Sequence, residues 1–245
     1  MLKPFSLMAG VISCLGIGWL AYQKLWEAII TVVVTSIATV GAAYFGAKVA
    51  FDKNAEKERE NIRNQNRING NIALFNLMHM INLLGSFRLQ FIDPWRTNDH
   101  AFLLILPALP FEKIKLNVEA LSFLLETDEP NLLGELALSE EAYRNAVGSI
   151  NERSRLHRDD VQPKLEQAGF IQGQHNANQA ADLLGNRLNQ TLKLATDTMI
   201  KVVDETIDRL KINTERLGKC LKTHFPEGKT IHVEFPAKNE TTAKL

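Results

Sequence analysis

Cysteine is scarce in this chain, neither sign of charge prevails, and no catalytic motif stands out. The two cysteines, Cys14 and Cys220, lie in an apolar run and near the end of a long helical pattern. No disulfide framework is expected from them, and free thiols suit a reducing compartment. Lys+Arg 28 are balanced by Asp+Glu 28, a net charge of +0. A phosphate backbone needs a basic surface, so direct nucleic-acid binding is not expected.

The histidines (79, 100, 157, 175, 224 and 232) have no acidic partner at i+4 and no cysteine partner, so neither a metal site nor a cofactor site is predicted. Gly228-Lys229-Thr230 has the ending of a phosphate-binding loop, but position 223 is Thr223 where that loop requires glycine. Arg153 and His157 are residue types found in nucleases, yet they share a short stretch with no catalytic context. No Gly-x-Ser-x-Gly elbow occurs. The expectation is therefore a protein that is not an enzyme.

What the chain does have is long uncharged stretches near its start. Ala28 to Ala47 is 20 residues without a formal charge. At ~1.5 Å rise per residue this covers the ~30 Å hydrocarbon core of a bilayer. Pro4 to Gln23 is a second such run of 20, with Trp19 and Tyr22 near one end, where interfacial aromatics belong. A cleaved signal peptide would show a small-x-small cleavage pattern after its apolar core; none follows, and a second span comes almost at once. The expectation is a two-helix transmembrane hairpin over residues 1–51, with spans 4–23 and 28–47 joined by a tight turn at Gln23-Lys24-Leu25-Trp26-Glu27.

Lys48, Lys53, Lys57, Arg59, Arg63 and Arg67 follow the second span, whereas the turn holds only Lys24. The positive-inside rule then puts both termini in the cytoplasm, which for a bacterial protein means residence in the inner membrane. Within the second span Thr35, Ala38, Ala42 and Gly46 form a face of small residues that lets helix backbones approach closely. That face either packs on the first span, through Gly10, Ser13 and Gly16, or joins copies of the chain into a homo-oligomer.

An Asn-rich neck (61, 64, 66, 69, 71) leads into Asn71–Phe87, a stretch of 17 residues with no charge. A polar stripe, Asn76, His79, Asn82 and Ser86, lies on one helical face of it and argues against a third span. The expectation is a central helix with this stripe hydrogen-bonded at an interface. Asp93-Pro94 stops that helix. The apolar patch Ala101–Phe111 belongs in the core or against the membrane surface.

Further helices are expected over 117–126, from 131 to 158, and, after a loop at 169–178, from 179 to 223, the longest. The last has a 3.6-residue stripe and calls for an antiparallel partner of similar length, which only the element from Ala28 to Ile92 offers. The charges Glu152, Arg153, Arg155, Arg158, Asp159 and Asp160 read as a solvated face. The fold class is thus all-α: a membrane hairpin, a cytoplasmic helical bundle at 52–225 and an extended tail at 226–245. In the tail Ile231, Val233 and Phe235 alternate with polar residues as in a strand without a mate. Such a segment is either a disordered or surface-docked tail or a docking strand that adds to the sheet edge of a regulating partner or a second copy.

Several passages carry a resemblance to largely uncharacterised bacterial membrane-anchored proteins. They are Gly41-Ala-Ala-Tyr-Phe-Gly-Ala47, Gly70-Asn-Ile-Ala-Leu-Phe75, Phe91-Ile-Asp-Pro-Trp-Arg96, Leu121-Ser-Phe-Leu-Leu125 and Ile150-Asn-Glu-Arg-Ser-Arg-Leu-His157. Two-span proteins of this build are similar to the toxic transmembrane effectors of bacterial anti-phage, retron-type systems. The resemblance implies an effector held inactive by a cytoplasmic regulatory protein and acting on membrane lipid when released. It assigns no residue a role. The other reading is a non-toxic membrane-tethered scaffold or sensor that recruits a cytoplasmic partner.

Overall fold

A computed structural model describes residues 4–109, 114–170, 177–231, 233 and 235, with the backbone alone for 4–23 and 177. The described residues are mostly helical, as the sequence leads one to expect, and no strand occurs among them. The chain divides into two units, Met1–Ile62 and Arg63–Leu245.

The first unit is formed by helix α1, which runs Pro4–Phe87 and continues into the second. The tight turn expected at 23–27 is not present: these residues are helical. A turn of this length draws on Gly, Asn or Pro, and Gln23-Lys24-Leu25-Trp26-Glu27 contains none. Its residues are mostly good helix formers, so the local preference is to continue.

The second unit is a bundle of α1 from Arg63 onward, α2 (Leu132–Leu156) and α4 (Ala177–His224), with a short α3 (Gln162–Gln167). Its core interleaves Leu74, Leu77, Met80 and Leu84 of α1 with Leu136, Tyr143, Val147 and Ile150 of α2 and Val203, Leu210, Leu217 and Leu221 of α4. Each set recurs at intervals of three, four or seven residues, the spacing of one helical face.

Helix α4 runs antiparallel to both others. Gly70 abuts Leu221 so closely that a Cβ there would sit 2.4 Å from the leucine, and farther along Arg88 pairs with Asp204. Against α2, the Asn213 amide donates to Ser139 Oγ at 2.8 Å while Arg153 reaches Thr196. The antiparallel pairing of α4 with α1 is as expected. Its extent differs, since α2 shares the length of α4 that Ala28–Ile92 was expected to cover.

Three other details depart from the sequence pattern. α4 is interrupted at Gly185, whose φ of 73° lies in the region open to glycine and closed to most side chains. The segment over Glu119–Glu126 is a 3₁₀-helix. Its threefold period buries Leu121 and Leu124 and leaves Leu125 exposed. α2 passes into α3 through a π-helical turn, His157–Val161, and another such turn, Arg88–Ile92, ends α1.

Among the described residues of the tail no strand occurs. Residues 229–231, 233 and 235 are irregular, and 232 and 234 lie outside the described residues. The side chain of Asn71 supplies what a neighbouring strand would: its Nδ2 donates to Lys229 O at 3.2 Å and its Oδ1 accepts from Ile231 N at 2.9 Å. Phe235 packs against the edge of the core, with Lys211 Nζ 5.7 Å from its ring centre. Of the apolar patch, Phe102 and Leu106 are buried and Ile105 is exposed; 110 and 111 lie outside the described residues.

Candidate functional site

The residues from Ala28 to Ala47 are where the chain departs most from an ordinary water-soluble surface. None of the apolar window is buried, and it lies in the one described helix long and apolar enough to cross a membrane. Val32, Ile37, Val40, Tyr44 and Phe45 are all exposed, an apolar surface that water does not favour.

The threonine hydroxyls inside this stretch are already served. Thr31 Oγ1 donates to Glu27 O, Thr35 to Thr31 O and Thr39 to Thr35 O, each at 2.7 Å. Back-bonding of this kind satisfies a hydroxyl within its own helix, so it asks nothing of a surrounding medium. In hydrocarbon, where unsatisfied groups cost several kcal/mol, that is the arrangement a spanning helix needs. Thr35, Ala38, Ala42 and Gly46 are all exposed, and a Cβ at Gly46 would meet nothing within 4 Å.

The second unit contains a buried polar centre that the sequence reading placed in solvent. Arg153 is 1% exposed, not part of a solvated face. Its Nη2 donates to Phe102 O at 2.7 Å and its Nε to Thr196 Oγ1 at 3.3 Å, while Nη1 has no partner. Burial pushes the guanidinium down to about 10. Beside it His157 Nε2 lies 3.0 Å from Leu103 O, which assigns the proton to that nitrogen. Burial, and next the charge of Arg153, hold the His157 pKa below its ordinary value.

Asn151 grips Leu109 at both ends, accepting from its N at 2.7 Å and donating to its O at 2.9 Å; Ser154 Oγ donates to Pro107 O. Four side chains of one helical face thus satisfy the backbone between Phe102 and Leu109, the end of a short 3₁₀ turn (Ala101–Leu103) and the irregular chain after it. Buried carbonyls must be paired, and the chain beyond this turn has no sheet or helix of its own to pair them. The signal was present in the sequence: Tyr143, Val147, Ile150, Arg153 and His157 recur at helical spacing on one stripe. Glu152, Arg155, Arg158 and Asp159 do form the solvated face, paired among themselves.

The polar stripe lies on the outer side of α1. Asn76 reaches Lys115 O at 3.0 Å, but His79, Asn82 and Ser86 are exposed, not enclosed at an interface within this chain. The apolar side of the helix takes all the packing. Of the tail residues, Ile231 is exposed while Val233 and Phe235 are half-buried on the bundle. Asn71, which holds the tail, was read from sequence only as part of an Asn-rich neck.

A second network joins the end of α1 to α4. Arg96 forks onto Asp204 at 2.8 and 3.1 Å and holds Asp93 at 3.0 Å, and Arg88 touches both acids at 3.3 Å. A shallow cleft of about 350 Å³ is lined by Glu126, Asp128, Glu129, Lys219, Cys220 and His224. Burial pushes the Cys220 thiol up, away from the reactive thiolate. Among the described residues no group of His, Cys, Asp and Glu could hold a metal ion. No protein family, curated protein or solved structure matches the chain.

Proposed function

We propose that this is a membrane-acting effector of a bacterial defence system, held inactive through its cytoplasmic bundle by a regulatory partner and damaging the inner membrane when released. The observation that carries the membrane part is the uncovered, uncharged stretch Ala28–Ala47 with its threonine hydroxyls already satisfied. The effector part follows from the resemblance of the two-span build to toxic effectors of anti-phage systems. The reading needs no enzyme chemistry and no cofactor.

In a bilayer the first 47 residues cannot stay one straight helix. Residues 4–47 would extend ~66 Å, about twice the ~30 Å hydrocarbon thickness. Half of that apolar length would lie in water. A break at Gln23–Glu27 puts both uncharged runs inside and leaves Lys24 and Glu27 at the surface, where their charges cost little. The hairpin, with both termini cytoplasmic, is therefore our reading for the membrane-inserted state. The small face Thr35, Ala38, Ala42 and Gly46 is its helix-association surface.

One observation favours the scaffold reading instead. Ala28–Ala47 has no charged residue, and its threonines spend their hydroxyl protons on their own helix, so it presents little with which to line an aqueous pore. Inducing the chain alone in bacterial cells while following a membrane-impermeant DNA dye separates the two. The effector reading expects dye entry within the first divisions and arrest of growth. Unchanged growth with no dye entry contradicts it and leaves the tethered scaffold.

A further inference from the structure

We infer that α1 of the bundle carries a parallel, in-register interface for a second copy of this chain, formed by Ile68, Ile72, Phe75, His79, Asn82 and Ser86 and continued by Leu89. From Asn71 to Leu89 the exposed residues are 72, 75, 79, 82, 86 and 89, and no others. Ile68 precedes them at 41% exposure; Ile72, Phe75 and Leu89 are exposed by 52%, 61% and 69%. The steps from 68 to 89 are four, three, four, three, four and three, three heptads at ~3.5 residues per step. That is the spacing at which one helix keeps a seam against another.

A stripe meant for water would carry charge, as the outward-facing residues 151–160 do. Here the whole stretch Asn71–Phe87 has none. The positions flanking the stripe are uncharged too: Asn69, Asn76 and Leu83 on one side, Asn71, Met78 and Gly85 on the other. None of these α1 positions carries a formal charge that would repel an identical neighbour, as like charges at such positions would do; the nearest lysines, Lys115 and Lys229, border the flanks through their backbone at Asn76 and Asn71.

The order of residues selects both the partner and the orientation. In a parallel, in-register pair each layer meets its own kind: Ile68, Ile72, Phe75 and Leu89 form apolar layers, and Asn82 and Ser86 pair with themselves by hydrogen bonds. An antiparallel pair on the same stripe, whose facing positions sum to 161, sets Phe75 against Ser86 and Asn82 against His79, so a polar hydroxyl is buried against hydrocarbon at a cost and the Asn82 side chains no longer meet each other. A buried Asn layer is a known device for fixing register in such seams. Attachment to one face of a membrane through residues 28–47 gives the same parallel sense and raises the local concentration of copies. The inference takes only that support from the membrane reading. The seam lies wholly in the second unit and stands without toxicity.

The test is cysteine crosslinking of the full chain in membranes, in a background with Cys14→Ser and Cys220→Ala. Asn82→Cys should give a crosslinked band at twice the chain mass, and Lys201→Cys, exposed on α4, should give none. Adding Ile72→Glu and Phe75→Glu should lower the Asn82→Cys yield roughly tenfold, since facing carboxylates repel. Both replaced residues are exposed, so an unchanged melting temperature confirms the fold is kept. A mixture of Phe75→Cys and Ser86→Cys chains should give no mixed product. No band at position 82, an equal band at 201, a yield indifferent to the glutamates, a dominant 75–86 product or a band containing another protein would each overturn the inference. Membrane recovery of the same chains is scored separately, so a failed seam is distinguished from a failed anchor.

Discussion

Arg153 and His157 show what single residues contribute to the bundle. A guanidinium at 1% exposure with no carboxylate beside it is an expensive group to bury. What it returns is a partner for Phe102 O and Thr196, and His157 does the same for Leu103 O. The neutral imidazole is held below its ordinary pKa of 6.5 first by burial. The unfolded chain therefore takes up a proton near pH 6.5 while the folded one resists it. Stability is full above that pH and is lost progressively as the pH falls below it. The melting temperature of the full chain in detergent should decline between about pH 7 and 5, and His157→Gln should remove much of that slope. An identical slope in the variant would mean that other groups carry it. Arg153 was legible as a member of a buried stripe by its spacing from Ile150 and Tyr143. Its charged neighbours hid it, because a run of mixed charge normally faces water.

At the level of elements, periodicity located the helices and failed where local geometry changed the period. The 3₁₀ segment Glu119–Glu126 and the interruption at Gly185 both alter which residues face inward. The alternation Ile231, Val233, Phe235 has the pattern of a strand, but one side chain, Asn71, supplies two backbone hydrogen bonds and the segment needs no sheet. A residue 160 positions away in sequence leaves no local trace of such a partnership. The small face of the second span belongs to this scale as well. Ala42→Leu with Gly46→Leu should weaken association of the membrane helices by roughly 1–2 kcal/mol, because added bulk holds backbones apart. A lower yield of detergent-resistant oligomers, read on gels, is the expected outcome. Unaltered oligomers together with unaltered toxicity would mean that this face meets only lipid.

For the whole molecule, two kinds of surface set the organisation. The second unit closes a core with leucine, isoleucine and methionine from three helices, and it satisfies an irregular stretch with side chains from α2. In the first unit none of the described side chains, from Lys24 onward, is buried. Both facts were readable from the length of the uncharged runs and from the helical stripes that follow them. The state of Gln23–Glu27 was not, because five residues of good helix propensity do not by themselves say whether a bilayer will bend them. The central claim is that the uncharged runs lie in a membrane as a hairpin. It is tested most directly by labelling single cysteines in spheroplasts with a membrane-impermeant maleimide, in the same background with Cys14 and Cys220 replaced. The account predicts that Trp26→Cys is labelled in intact spheroplasts and Lys193→Cys only after they are lysed. Labelling of Lys193→Cys from outside, or protection of both positions until lysis, would contradict it.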